Sequence, residues 1–193
     1  MTNILRYPLR NISDQTLREL QEHYPDAQVQ IKLSAKPQNG SLTEAIFWDL
    51  IAKLDWTKEG DDRTVILPVV KDLANFPLRY TYDFADILSH KLYLLDNERY
   101  AANNTLSIDE DFSADRFLYS RCCVIANGRA FFEHIRKNPD KMPHHLLFAP
   151  LLRIPNAAHQ LKLGKPLEHV WAYPVETFSN TSGWASFNIQ NKD

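Results

Sequence analysis

The chain has 193 residues, 44% hydrophobic and 24% charged, with a formal net charge of −2. That composition fits an ordinary globular chain large enough to bury a core, and argues against a disordered one. The Lys and Arg residues are interspersed with acids rather than gathered into a basic run, which argues against a duplex-binding protein.

The N-terminal stretch carries no apolar run of signal-peptide length, and no run elsewhere is long enough to span a membrane. A cytosolic chain is therefore expected. Residues 4–9 are compatible with an extended segment. Ser13 suits a helix N-cap, Leu17, Leu20 and Tyr24 follow at helical spacing, and Pro25 ends the pattern. Apolar and polar residues alternate over 27–33, the mark of a half-buried strand. Residues 1–40 thus read as a small strand–helix–strand lobe, closed by the turn residues Pro37 to Gly40.

From Leu42 the period becomes helical. Thr43, Ile46, Phe47, Leu50, Ile51 and Leu54 form one stripe on a helix face. A second helix is expected over 61–74, begun or kinked by Pro68, and a third from Pro77 to Leu95, the clearest pattern in the chain. Residues 103–112 read as an acidic loop. Ser113 caps the next helix, which carries Phe117, Leu118, Cys122, Val124 and Ile125 and stops at Gly128. A short helix over 129–138 ends at Pro139, Met142 to His145 reads as an exposed loop, and a last helix over 155–163 is capped by Gly164. The aromatic-rich tail, 166–193, reads as irregular or short strand packed on the body. The fold class expected is α+β, predominantly α-helical: a lobe over 1–40, a helical body over 41–165 and the tail, together one compact domain.

Three residues break the pattern. Arg121 falls in the middle of the stripe formed by Phe117, Val124 and Ile125, and Lys91 between Phe84, Ile87 and Leu95. A charge on an apolar face needs a partner, or must reach water along its stem. Asp83, Asp86 and Asp115 are the candidate acids for Arg121. Two readings stay open: an internal ion pair that fixes helix register, or an anion or carboxylate site between helices. Trp48 lies opposite the main stripe of its helix, so a second surface is either covered, with the N-terminal lobe as the expected cover, or available to a partner.

Catalytic signatures are missing from the linear sequence. The two cysteines are the neighbours Cys122 and Cys123, which fits core filling in a reducing compartment. The seven histidines show no metal-ligand spacing. With five glycines, the chain has neither a phosphate-cradling loop nor a nucleophile elbow.

Phe47-Trp48-Asp49-Leu50-Ile51 resembles the opening F-W-x-L-I of the bacterial domain of unknown function 4240. The stronger match is Ser113, Asp115, Phe117, Tyr119, Arg121, Ile125, Gly128 and Arg129, in register with that family's S-D-D-x-F-x-Y-F-R-x-W-L-I-x-x-G-R, continued by Phe132 and Pro139-Asp140. The resemblance covers roughly residues 42–142. Ser120 and Cys123 depart from it, standing where the family tends to have Phe and Trp. It implies a helical domain and supplies no reaction, cofactor or substrate, but it puts Trp48 and Arg121 on a shared motif.

Two functions follow as expectations. The first is a protein-binding module, of immunity or antitoxin-like type, with an unidentified protein partner. The second is a small-anion or carboxylate-binding protein, or an enzyme, with its pocket around Arg121 and Lys91 and with Trp48, Asp115, Tyr119 and Arg129 as further ligand-binding candidates. No catalytic residue, metal, cofactor, nucleic acid or membrane is expected in either.

Overall fold

A computed structural model describes residues 14–24, 40–101 and 112–185. The chain divides into two units, residues 1–36 and 37–193. In the first, α1 (Asp14–His23) is the described element, and its last turn is tied by a His23 Nδ1 contact to the Glu19 carbonyl at 2.8 Å.

The second unit is a helical body. Thr43 caps α2 (Glu44–Ile51), its hydroxyl accepting the Ile46 N–H. A single 3-10 turn (Trp56–Lys58) leads to α3 (Asp62–Asn75), capped by Asp61. Pro68 does not begin this helix. The helix passes through it, and the missing N–H leaves the Thr64 carbonyl without its usual donor. Pro77 stands at the N-cap of α4 (Leu78–Leu94), which Leu95 ends and which the short α5 (Glu98–Ala101) follows. Ser113 caps α6 (Ala114–Ala126) by accepting the Arg116 N–H. Gly128, at φ 89°, then turns the chain into α7 (Arg129–Lys137). A left-handed φ of that kind suits glycine, which has no Cβ to clash. Two 3-10 turns (Pro139–Lys141 and Ala149–Arg153) precede α8 (Ile154–Leu163), which Gly164 ends in the left-handed conformation.

The core gathers Phe47 and Ile51 of α2, Val69 and Leu73 of α3, Phe84 and Leu88 of α4, Val124 and Ile125 of α6, Phe132 of α7 and Ile154 of α8. α8 lies along α3 with their C-terminal ends together. There the Lys162 ammonium donates to the Ala74 and Phe76 carbonyls, each at 2.9 Å, supplying a positive charge where the α3 dipole ends.

The α+β class is corrected. The described residues are helical and contain no strand. The two strands expected over 4–9 and 27–33, which carried the β part of that class, lie outside the described residues. In the tail, the described part is irregular chain closed by a 3-10 turn (Thr181–Trp184). The loop at Met142 is less exposed than its polarity suggested: Met142 and Pro143 are buried, His144 half-buried and His145 exposed.

Candidate functional site

The two cations of the pattern are both buried, and each has found acceptors. The Arg121 side chain is fully enclosed. Its Nη1 donates to the Leu92 carbonyl at 3.0 Å and lies 3.7 Å from Asp96 Oδ1. Its Nη2 donates to the Val175 carbonyl at 3.1 Å and to the Thr177 hydroxyl at 2.9 Å. The guanidinium sits over the Phe117 ring at 5.1 Å, and among the described residues Nε has no hydrogen-bond partner. Burial lowers the guanidinium's pKa and the Asp96 carboxylate opposes that. Arginine keeps its charge even so.

Asp96 is none of the three acids named from the sequence. It is equally buried. Oδ1 accepts the Phe178 N–H at 3.1 Å and the Trp184 Nε1–H at 2.9 Å, while Oδ2 accepts the Asn180 N–H at 2.9 Å. The three candidates are engaged elsewhere or apart. Asp83 accepts from the Leu42 N–H at 2.8 Å and pairs with Arg79 at 2.7 Å. Asp86 pairs with His169 at 2.8 Å and accepts the Ala172 N–H at 3.0 Å. Asp115 is exposed in the first turn of α6.

Lys91 belongs to a second set. Its ammonium donates to Glu44 Oε1 at 2.6 Å and lies 5.7 Å from the Trp48 ring and 5.3 Å from that of Phe132. Trp48 Nε1 donates to the same carboxylate oxygen at 3.1 Å. Glu44 is half-exposed, and the Lys91 hydrogen bond holds its carboxyl below the usual range, with help from Trp48 and Arg129 and against some desolvation. Trp48 is buried, its ring 5.4 Å from Phe132 and 5.0 Å from Phe47. The cover over its second face is thus Phe132 and Lys91 of the helical body. Arg129 is exposed and Tyr119 half-buried, its carbonyl accepting the Phe148 N–H at 3.0 Å. Arg121 joins α4 and α6 to the tail, whereas Lys91, Trp48 and Glu44 join α4 to α2 and α7.

Residues 42–160 match the family described as protein of unknown function (DUF4240). The chain belongs to the DUF4240 family. Trp48, Lys91, Asp96 and Arg121 lie within the DUF4240 segment, and the tail residues that Arg121 and Asp96 hold lie beyond it. No curated protein and no solved structure matches the chain.

Sequence reasoning missed Asp96 because it follows the last apolar residue of the α4 stripe, where the helix pattern stops. It also missed a surface. Trp56 packs on Phe148 with ring centres 4.9 Å apart and remains 42% exposed. Leu146 and Leu147, just before Phe148 on the same loop, are 47% and 41% exposed. Trp56 and the Leu146-Leu147 pair that precedes its ring partner thus leave three large apolar side chains open to water. Among the described residues, no group of three or more His, Cys, Asp or Glu is placed to hold a metal, and no helix is long and apolar enough to cross a membrane.

Proposed function

We propose that this DUF4240 chain is a protein-binding module that docks through the apolar face of Trp56, Leu146 and Leu147. The observation that carries the reading is that Trp56 packs on Phe148, that Leu146 and Leu147 directly precede Phe148 in the chain, and that all three stay at least two-fifths exposed. Tryptophan and leucine in water lose hydration cost only when something covers them, and a tryptophan beside a flat apolar surround is the usual anchor of a protein interface. Support also comes from the cations. Arg121 and Lys91, the centre of the alternative anion-binding reading, already have acceptors inside the chain, so an incoming carboxylate would have to displace them.

The test compares two proteins in the host extract by cross-linking and quantitative mass spectrometry: the native chain and the Trp56→Ser, Leu147→Ser variant. Both substitutions are at exposed sites, so the fold should be kept. A partner captured by the native chain and at least tenfold depleted with the variant supports the reading. Equal capture by both, or no specific capture by either, overturns it. An immunity or antitoxin-like role is one form of such a module, and it would require the captured partner to be a toxin whose activity the chain suppresses.

A further inference from the structure

The tail is held in an unusual way. Between Lys165 and Trp184 it makes no sheet and only one 3-10 turn, yet its main chain is engaged along its length by side chains of the helical body. His159 contacts the Lys165 carbonyl at 2.8 Å, and Asn156 accepts the Leu167 N–H at 2.9 Å. Asp86 accepts the Ala172 N–H at 3.0 Å and Ser89 the Tyr173 N–H at 3.3 Å. Arg121 donates to the Val175 carbonyl, and Asp96 accepts from the Phe178 and Asn180 N–H groups. Side chains reading the main chain of a segment that forms neither helix nor sheet are how a receptor holds a peptide whose sequence it only partly specifies.

The rest of the segment fits that description. Its deep anchor is Trp184, buried against Phe112, Phe117 and Phe178, with ring centres at 6.1, 5.8 and 4.6 Å. Between the anchors the chain is open to water, and Val170 is 91% exposed. Phe178 stands at φ 75°, a left-handed backbone that a bulky side chain rarely adopts, with both flanks held through Arg121 and Asp96. The family match stops at residue 160, so Asp86, Ser89, Asp96 and Arg121 belong to the family segment and their occupant does not.

We propose that α4 and α6 form a peptide-binding groove and that residues 166–185 are its resident occupant, bound in cis. The partner class that fits is a peptide that can turn as the resident segment does at Phe178, offering main-chain amides to Asp96, a carbonyl to Arg121 and an aromatic side chain to the Trp184 site. Tethering gives the resident segment a high effective concentration, so such a partner enters only when the tail is released or outcompeted. This groove is distinct from the Trp56 face, and the inference stands whether or not that face docks a protein.

The experiment uses the full chain with a site-specific protease sequence inserted between Lys165 and Pro166, both exposed. The purified protein is cut, and a fluorescent synthetic peptide of residues 166–185 is added. Helical circular dichroism should survive the cut, and the labelled peptide should exchange in with saturable binding. A peptide N-methylated at Phe178 and Asn180, which removes the two N–H groups that Asp96 accepts, should bind at least tenfold more weakly, as should Trp184→Ala. Loss of helical signal on release of the tail, failure of the labelled peptide to bind, or equal binding of the N-methylated peptide would each overturn the proposal. The Trp56→Ser, Leu147→Ser chain cut in the same way should bind the peptide normally, which separates this groove from the docking face.

Discussion

Asp96→Ala should be among the most damaging single substitutions in the chain. The carboxylate is fully buried, faces Arg121 at 3.7 Å and accepts three N–H groups of the tail. Removing one member of a buried ion pair costs about 3–5 kcal/mol, because the remaining charge stays in a dry setting. A hydrogen bond to a charged group contributes about 1.5–3 kcal/mol, but these share one acceptor and do not add independently. A loss of about 4 kcal/mol is therefore expected, a large part of a total stability of about 5–15 kcal/mol. With a urea slope of about 2 kcal/mol per molar, the unfolding midpoint should fall by about 2 M. Asp96→Asn separates charge from shape, since it keeps one acceptor oxygen and leaves Arg121 without its counter-charge. Combining it with Arg121→Met should cost less than the sum of the two singles by at least about 1 kcal/mol. A midpoint shift below about 0.5 M for Asp96→Ala, or strict additivity in the pair, would refute the claim that this ion pair fastens the tail.

Three further outcomes follow from the same geometry. Trp48→Ala should cost about 3–5 kcal/mol in chemical unfolding because it empties the space between Phe47, Phe132 and Lys91; Trp48→Phe, which loses mainly the bond to half-exposed Glu44, should cost about 1 kcal/mol. Burial, with His145 adding to it, pulls the His144 imidazole from its ordinary 6.5 down to about 4, so the unfolded chain takes up a proton first as pH falls. Stability from this group is complete above pH 6.5 and declines toward pH about 4, and His144→Leu should flatten that part of the profile; identical profiles for the two proteins would contradict the assignment. The Cys122 thiol is pushed up to about 12 by burial, and burial raises that of Cys123 as well, so neither should react with a thiol reagent at pH 8 until denaturant is added.

The helical body was legible in the sequence because its signals are local. Ser113 and Gly164 each do at the helix ends what their chemistry suggests, and the stripes of α4 and α6 face the core they were expected to face; Thr43, expected in the α2 stripe, caps that helix instead. Of the two places the sequence allowed Pro68, the start or the interior of its helix, it takes the interior, where Val65, Val69 and Leu73 on either side of it are buried and packing offsets its cost. The α+β class rested on period-two alternation over residues 27–33, a pattern that needs a partner strand before it means a sheet. The site shows the opposite limit. Arg121, Lys91 and Trp48 were found as anomalies, since a charge on an apolar face is visible in one dimension. Their partners were not, because Glu44 is 47 positions from Lys91, and Thr177 is 56 positions from Arg121.

That asymmetry bears on what Arg121 does. A single buried cation supplied with an acid, two carbonyls and a hydroxyl resembles a binding site that has been filled, and the filler is the chain's own tail. The anion-site and scaffold readings of this residue are therefore less opposed than the sequence suggested. Arg121 holds a carbonyl and a hydroxyl here by the same donors that would hold a carboxylate. The electrostatics favour the scaffold, because Asp96 already neutralises the guanidinium, and an incoming anion would have to face that carboxylate at close range in a dry setting. A neutral peptide main chain meets no such repulsion. Its N–H groups satisfy Asp96 and its Val175 carbonyl accepts from Arg121, so the pair is matched to backbone dipoles rather than to free ions.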